Sequence, residues 1–181
     1  MPKIVDHDAR RREILQGCFG LFARQGYAAL TMRGIARALG VSTGTLYYYF
    51  DSKEALFEEM VRLAASRDVA DASAETPEDA PRPERIAGLM RFLRRNATPL
   101  LQTLQVLLEY RRQLDSAAEN ELLQSTLGLY RRALVEQLRL SESEAAVTLS
   151  VLMGAVVQLH LEPEAVDLSA HVAALERLLR A

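Results

Sequence analysis

The chain has 181 residues, of which 49% are apolar and 25% charged, so it can bury a core in one or two domains. Its single cysteine excludes an intramolecular disulfide and fits a reducing compartment. No apolar run is expected to span a bilayer and no secretory leader is expected, which predicts a cytoplasmic protein without a membrane partner.

The charges are unevenly distributed along the chain, although the formal net charge is only −2. Residues 1–53 hold eight Lys/Arg and four Asp/Glu, a net +4, whereas residues 54–181 hold fourteen and twenty, a net −6. A basic N-terminal part and an acidic remainder favour a DNA-binding head whose body avoids phosphate.

The first predicted helix runs from about Ala9 to Gln25, behind a polar N-terminal arm, and Gly26 ends it. Cys18 falls on the apolar face of this helix. That position predicts a buried, inert thiol rather than a redox sensor.

Residues 31–53, TMRGIARALGVSTGTLYYYFDSK, predict two short helices joined by a tight turn. The hydroxyl of Thr31 can cap the first helix, and Gly40 can take the left-handed conformation that ends it. Ser42 or Thr43 then caps the second helix. The spacing is that of a helix-turn-helix, whose second helix lies in the major groove of DNA. The apolar inward face of the second helix is predicted to comprise Leu46, Tyr49 and Phe50.

The rest of the chain has helical periodicity and no strand pattern, which predicts an all-α fold of about nine helices. A proline-rich loop is expected at 73–83, and Pro99 is expected to break or kink a helix. The remaining helices are predicted at about 52–72, 84–97, 99–114, 118–140, 141–161 and 168–180.

The last two predicted helices carry the signals of a helix–helix interface. Ser141 and Glu144 form a capping-box pattern, and the helix behind them is apolar nearly all round. We expect these two helices to pair with their copies in a second chain; completion of a monomer core is the alternative. The residues expected at this homodimer interface are the small residues Ala146, Ser150 and Gly154 and the periodic residues Leu168, Val172, Leu175 and Leu179.

The segment from about residue 10 to 60 resembles the TetR family of bacterial transcription regulators. The resemblance lies in LFARQGYAALTM and GIARALGVSTGTLYYYFDSKEALF, and LYYYF followed by a short polar link and Lys53 is specific to that family. It implies a three-helix DNA-binding domain at 1–52 and a helical effector-binding and dimerisation domain at 53–181. The later residues match only in helical character, length and order.

The expected DNA contacts come from both helices of the motif. No Lys or Arg lies between Val41 and Phe50, so base contacts are expected from short polar groups and one tyrosine. Arg33 matches a position that the family often uses on a guanine; a solvated arginine is the alternative. The helix N-termini at Thr31 and Ser42 offer donors to phosphate. The other expected contacts are Thr43, Gly44, Thr45 and Tyr47 for bases, and Tyr48 and Lys53 for the backbone.

The resemblance also implies that the helical body binds a small molecule whose binding changes the spacing of the two heads. An apolar or amphipathic effector is expected for such a lining. Apolar residues at helical spacing more often pack in the hydrophobic core than line a pocket. Packing in the core is therefore the alternative for each candidate pocket residue. The candidate pocket residues are Met90, Leu93, Leu104, Leu107, Leu108, Tyr110, Arg111, Tyr130, Met153 and Gln158.

The resemblance, together with these patterns, implies a homodimeric, ligand-responsive repressor that binds a palindromic operator, located in the bacterial cytoplasm and at the nucleoid when bound to DNA. The alternative is a structural or division-related DNA-binding protein without an effector. No catalytic cluster, P-loop or dinucleotide-binding glycine pattern is present, so neither an enzyme nor a cofactor is expected. His7, His160 and His171 are too far apart in sequence to predict a metal site.

Overall fold

Eight α-helices form the chain in a computed structural model that describes residues 6–75, 78–114, 121–164 and 166–179. Those residues include no strand, and the predicted all-α fold is confirmed. The helices are α1 (His7–Gln25), α2 (Met32–Leu39), α3 (Thr43–Tyr49), α4 (Lys53–Ala74), α5 (Arg82–Gln113), α6 (Glu121–Leu138), α7 (Glu142–Leu161) and α8 (Leu168–Leu178).

The predicted helices on either side of Pro99 form a single helix, α5, which accounts for eight helices rather than nine among the described residues. Pro99 cannot donate to the carbonyl four residues before it, so the helix bends, and Asn96 takes non-helical angles (φ −112°, ψ 15°). The Asn96 amide donates to the Phe92 carbonyl at 2.9 Å. The helix is therefore kinked rather than ended.

The chain divides into two compact units, Met1–Ala64 with Gln105–Leu122, and Ala65–Leu104 with Leu123–Ala181. Four rings, with neighbouring centroids 4.7–6.1 Å apart, form an aromatic cluster within the first unit. Edge-to-face packing of this kind adds to the stability gained from burial alone. The four rings belong to Phe22, Tyr27, Phe57 and Tyr110.

Gly26 ends α1 where only glycine fits without strain. Its φ is 77°, and its N–H donates to the Phe22 carbonyl at 2.9 Å. A Cβ at this position would also collide with the carboxylate of Glu109. The predicted end of the helix at Gly26 is confirmed.

The Cys18 thiol on the same helix is buried, as predicted, and burial raises its pKa to about 12. That thiol is protonated at neutral pH.

The second unit has its own apolar core, to which α5, α6, α7 and α8 contribute. Most of its members are leucine, valine and alanine at helical spacing, as the sequence predicted. Buried examples, one or two from each helix, are Ile86, Met90, Leu138, Leu152, Ala155 and Leu175.

Arg85 is buried in the second unit, with 7% of its surface exposed. Its guanidinium donates to the carbonyls of Ala80 at 2.7 Å and Gln137 at 2.6 Å, and to that of Glu78. Gln137 lies in the last turn of α6, whose carbonyls have no partner within the helix. Arg85 therefore joins the loop before α5 to the end of α6 through main-chain acceptors.

A polar pair joins α4 to α6 within the second unit. The Tyr130 hydroxyl donates to the Asp68 carboxylate at 2.7 Å. Burial raises the pKa of Asp68 to about 6, and the hydrogen bond from Tyr130 opposes that rise. Burial beside this carboxylate also raises the pKa of Tyr130. The phenol is therefore the donor over the physiological pH range.

The capping box at the start of α7 is confirmed. Ser141 Oγ accepts from the Glu144 N–H at 3.3 Å, and the Glu144 carboxylate accepts from the Ser141 N–H at 2.7 Å. These hydrogen bonds lower the pKa of Glu144. Two donors that a helix start would leave unpaired are thereby satisfied.

The prediction that no apolar run could span a bilayer is wrong for α7. By length and composition alone its 20 residues could cross a membrane. Of the residues in its most apolar stretch, 33% are buried within the chain. Thr148, Ser150 and Gln158 interrupt the apolar run, and two acidic residues lie in the first turn of the helix. A single helix of this kind is weak evidence for insertion, since the core or interface helix of a soluble protein has the same composition.

Candidate nucleic-acid interface

The turn between α2 and α3 has the geometry of a helix-turn-helix. Thr31 caps α2, its Oγ1 accepting from the Gly34 N–H at 3.1 Å. Gly40 has φ 67°, in the left-handed region, and Val41 N–H donates to the Ala36 carbonyl at 3.0 Å. Gly40 therefore ends α2 and turns the chain into α3 as predicted.

Ser42 caps α3 and fixes its first turn. Its Oγ accepts from the Thr45 N–H at 2.9 Å and lies 2.8 Å from Thr45 Oγ1. Of the two cap residues that the sequence allowed, Ser42 is the one used. Leu46 and Phe50 are buried and so mark the side of α3 that packs on the core. The opposite side of α3 faces outward.

The outward face of α3 carries the residues predicted to read bases. Tyr47 is 54% and Tyr48 69% exposed, which removes the interpretation that they are ordinary partly buried aromatics. Gly44 is exposed, while Thr43 and Thr45 are half-buried. A Cβ on Gly44 would meet only Ser42 Oγ, at 3.6 Å, so glycine is not required there by the protein itself.

Two arginines lie on the exposed face of α2. Arg33 was predicted, and Arg37, one turn later, was not. Neither forms an ion pair among the residues that the structure describes. The signal for Arg37 was its i, i+4 spacing from Arg33 on a helix without acidic residues. Residues 31–50 contain no carboxylate at all, so this surface carries positive charge only.

Lys53, predicted to bind backbone phosphate, makes contacts within the protein. Its Nζ donates to the carbonyls of Tyr27 at 2.9 Å and Leu30 at 3.0 Å and lies 4.0 Å from the Tyr27 ring centroid. Burial, with Glu54 nearby, raises the pKa of Tyr27, so the phenol stays neutral beneath the ammonium. One N–H of the three on Lys53 is left for another acceptor.

The three arginines of α1 have three different environments. Arg10 pairs with Glu13 at 2.6 Å, and Arg11 makes two 2.6 Å bonds to Glu59. The Glu59 carboxylate raises the pKa of Arg11. Arg12 is exposed. Two of the three cations are thus paired with carboxylates within the protein.

Comparison with known proteins identifies this arrangement. Residues 14–60 match the sequence profile described as "Bacterial regulatory proteins, tetR family". The chain is 43% identical over 77 residues to the HTH-type transcriptional repressor Rv1474c of Mycobacterium tuberculosis, covering 41% of each chain. It is also 37% identical over 73 residues to the M. tuberculosis repressor KstR2, covering 37% of this chain and 36% of that one.

The helix-turn-helix head of the chain, residues 14–60, is therefore that of the TetR family of bacterial regulatory proteins. Solved structures share the chain's helical fold. It superposes on Salmonella enterica GusR with a TM-score of 0.79 at 20% identity, over 99% of this chain and all of that one. It superposes on Bacillus subtilis FadR, solved with stearoyl-CoA, with a TM-score of 0.66 at 20% identity, over 93% and 96%. Matching curated relatives are named transcriptional repressors or regulators rather than enzymes, and this chain spans about two fifths of the length of the first.

The ten candidate effector residues of this chain are divided between its two units. Leu107, Leu108, Tyr110 and Arg111 belong to the first, and the other six to the second. Met90, Leu93, Leu107 and Tyr110 are buried; Leu104, Arg111, Tyr130 and Met153 are half-buried; Leu108 and Gln158 are exposed. The exposure of Gln158 means that this position supplies no buried polar group to a pocket.

The candidate dimer residues also fall into two sets. Ser150 and Gly154 are exposed, and Ala146 and Val172 half-buried, whereas Leu175 and Leu179 lie in the chain's own core. Leu175 and Leu179 are therefore not available to a partner, because they are buried within their own chain. Helical spacing alone does not say which face of a helix packs inside the chain. The side chain of Leu168 lies outside the described residues. Large apolar residues that the sequence did not single out are exposed instead: Val147, Leu161 and Leu178.

Proposed function

We propose that this chain is a homodimeric, ligand-responsive transcriptional repressor that binds a palindromic operator and is released by a small molecule. The observation that carries the proposal is the surface of α2 and α3. That surface has two exposed arginines, two exposed tyrosines and no carboxylate between residues 31 and 50. A surface of this charge on a helix-turn-helix favours contact with the major groove and its phosphates.

Base reading is assigned to α3, together with Arg33 of α2 as the bidentate guanine contact. Thr43, Gly44, Thr45 and Tyr47 supply single hydrogen bonds, methyl contacts and close backbone approach. Backbone anchoring is assigned to the helix starts at Thr31 and Ser42 and to Tyr48 and Lys53. Arg37, exposed one turn after Arg33, is added to the backbone group.

The homodimer is proposed to form through the exposed stripe of α7 together with α8. Val147, Ser150, Gly154 and Leu161 recur at helical spacing, and Val147 and Leu161 are 54% and 71% exposed. An exposed apolar stripe with small residues in its middle favours close packing against a second helix. Two heads on one dimer would read half-sites about 34–36 Å apart.

Gly154→Arg tests this interface without disturbing the fold of one chain. A Cβ at Gly154 meets no atom within 4 Å, so an arginine has room in the monomer but would collide with a partner helix. We expect the wild-type protein to be a dimer by light scattering at micromolar concentration and Gly154→Arg to be a folded monomer. Gln124→Arg, at an exposed position of α6, is the control. A monomeric wild-type protein would refute the dimer.

The effector is proposed to be apolar or amphipathic and to bind within the helical body in the cytoplasm. Support comes from the apolar lining that Met90, Leu93, Leu104 and Met153 could provide, and from the FadR structure with stearoyl-CoA, which shares the fold. Such a ligand releases DNA only if it prefers the head spacing that fits the operator poorly.

In vitro selection of bound DNA, sequenced after several rounds, tests the proposed function. An inverted repeat with half-site centres about one helical turn apart, or wider for two dimers, is the expected result. Binding without an enriched motif, lost at physiological salt, would mean that the head grips phosphate without reading bases. That outcome would favour the structural or division-related DNA-binding protein.

Arg33→Ala is expected to relax the selected motif at a single position, because a bidentate arginine–guanine contact is worth about 1–3 kcal/mol. The measurement is the affinity for the selected duplex and for each single-position variant of it. Arg12→Ala, an exposed cation of α1, is the comparison. Equal losses of affinity on the selected and random duplexes would remove Arg33 from the base-reading group.

A further inference from the structure

One histidine of α1 lies against the recognition helix. The His7 ring centroid is 5.8 Å from that of Tyr48 and 6.3 Å from that of Tyr49. The two tyrosine rings are 5.0 Å apart and nearly perpendicular, at 89°. The three rings, called the aromatic triad below, bring an imidazole beside the most exposed tyrosine of α3.

The first turns of α1 are held in this position by contacts on the same helix face. Arg11 follows His7 by four residues, makes two 2.6 Å bonds to Glu59 and lies with its guanidinium carbon 4.8 Å from the centre of the Phe50 ring. Asp6 caps the helix by accepting from two N–H groups, at 3.0 and 3.1 Å. His7 is therefore part of an ordered helix end beside α3.

The surroundings of His7 determine which ring nitrogen is available. Its Nδ1 lies 3.5 Å from the Tyr49 hydroxyl, at the outer limit of a hydrogen bond. When this hydroxyl donates to Nδ1, the neutral imidazole carries its proton on Nε2. Nε2 is on the opposite side of the ring from Nδ1, and His7 is exposed. The residue then offers an N–H donor outward without needing a positive charge.

We infer that His7 contacts DNA, donating from Nε2 to the backbone phosphate that Tyr48 also binds. The inference rests on the proposed function and extends it to α1. When the first turn of a recognition helix contacts base edges, exposed donors near its last turn face the sugar–phosphate wall of the groove. Tyr48 and His7 are two such donors side by side, and phosphate oxygens accept several hydrogen bonds. Sequence reasoning had considered His7 only as a metal ligand.

The test compares two substitutions that separate the donor from the ring. His7→Phe keeps a ring to pack on the tyrosines but has no donor, whereas His7→Gln keeps an N–H donor and has no ring. With a mixed-sequence duplex about three helical turns long at low salt, His7→Phe should bind about tenfold more weakly than wild type. His7→Gln should stay within about threefold of wild type, and the exposed-site control Gln16→Ala should be unchanged.

A double-mutant cycle tests whether the two donors share one phosphate. His7→Phe combined with Tyr48→Phe should lose less affinity than the product of the single losses. All variants should melt like wild type, since both side chains are exposed. If His7→Phe binds like wild type and His7→Gln binds worst, only ring packing matters and the phosphate contact is refuted. A wild-type protein that binds no duplex refutes the proposed function itself.

Discussion

Lys53→Met should weaken binding to every DNA sequence and also destabilise the head. The substitution removes two charge-assisted hydrogen bonds, to the carbonyls of Tyr27 and Leu30, and an ammonium above the Tyr27 ring. We expect a loss of about 2 kcal/mol in unfolding free energy, measured in urea. The slope of log affinity against log salt should flatten by about one unit, because the remaining N–H is proposed to bind a phosphate.

Two further variants separate the roles of Lys53. Lys53→Arg keeps the charge but not the compact ammonium, so it should retain the salt slope while losing part of the stability. Arg62→Met removes an exposed cation from the same helix and controls for net charge. If Lys53→Met weakens binding with an unchanged slope, the residue only ties the turn before α2 to the start of α4. It would then leave the group of phosphate contacts.

Arg85→Met should cause the largest loss of stability in the second unit. The three carbonyls that accept from Arg85 would be left without its donors in a site that is 7% exposed. The expected cost is about 3–5 kcal/mol, which corresponds to a fall of roughly 6–20 °C in melting temperature for a chain of this size. Circular dichroism during heating and urea unfolding both measure it.

The matched control is Arg91→Met, which removes an exposed arginine two turns further along α5. It should leave the melting temperature within about 2 °C of wild type, because exposed substitutions rarely matter by more than about 0.5 kcal/mol. Arg85→Lys should fall between the two, since a lysine cannot reach three separated carbonyls at once. An equal melting temperature for Arg85→Met and Arg91→Met would show that the carbonyls are satisfied in another way.

Features specified by neighbouring residues could be predicted from the sequence. The caps at Thr31, Ser42 and Ser141 and the stops at Gly26 and Gly40 each depend on one side chain or one φ angle. The helix count was harder, because whether Pro99 ends or merely kinks a helix depends on what packs around it. The capping and glycine residues therefore predicted these helix ends. They did not predict whether the chain at Pro99 continues as one kinked helix.

Features that depend on tertiary packing could not be predicted. Periodicity put Leu175 and Leu179 on an apolar face but could not say that this face packs inside the chain. It placed Gln158 on an apolar helix without showing that its side chain is exposed. The contacts of His7, Lys53 and Arg85 all join residues from different helices or loops, and no spacing along one helix encodes them.

The acceptors of Arg85 are all main-chain carbonyls, and this has a consequence for how the surrounding sequence can change. Substitutions of Glu78 or Ala80 alter side chains that take no part in the contact, so point changes there should be tolerated during divergence. Insertions or deletions between residues 78 and 85 would instead move the carbonyls away from the guanidinium. The amino-acid composition of this loop can therefore change, whereas its length is constrained by the contacts of Arg85.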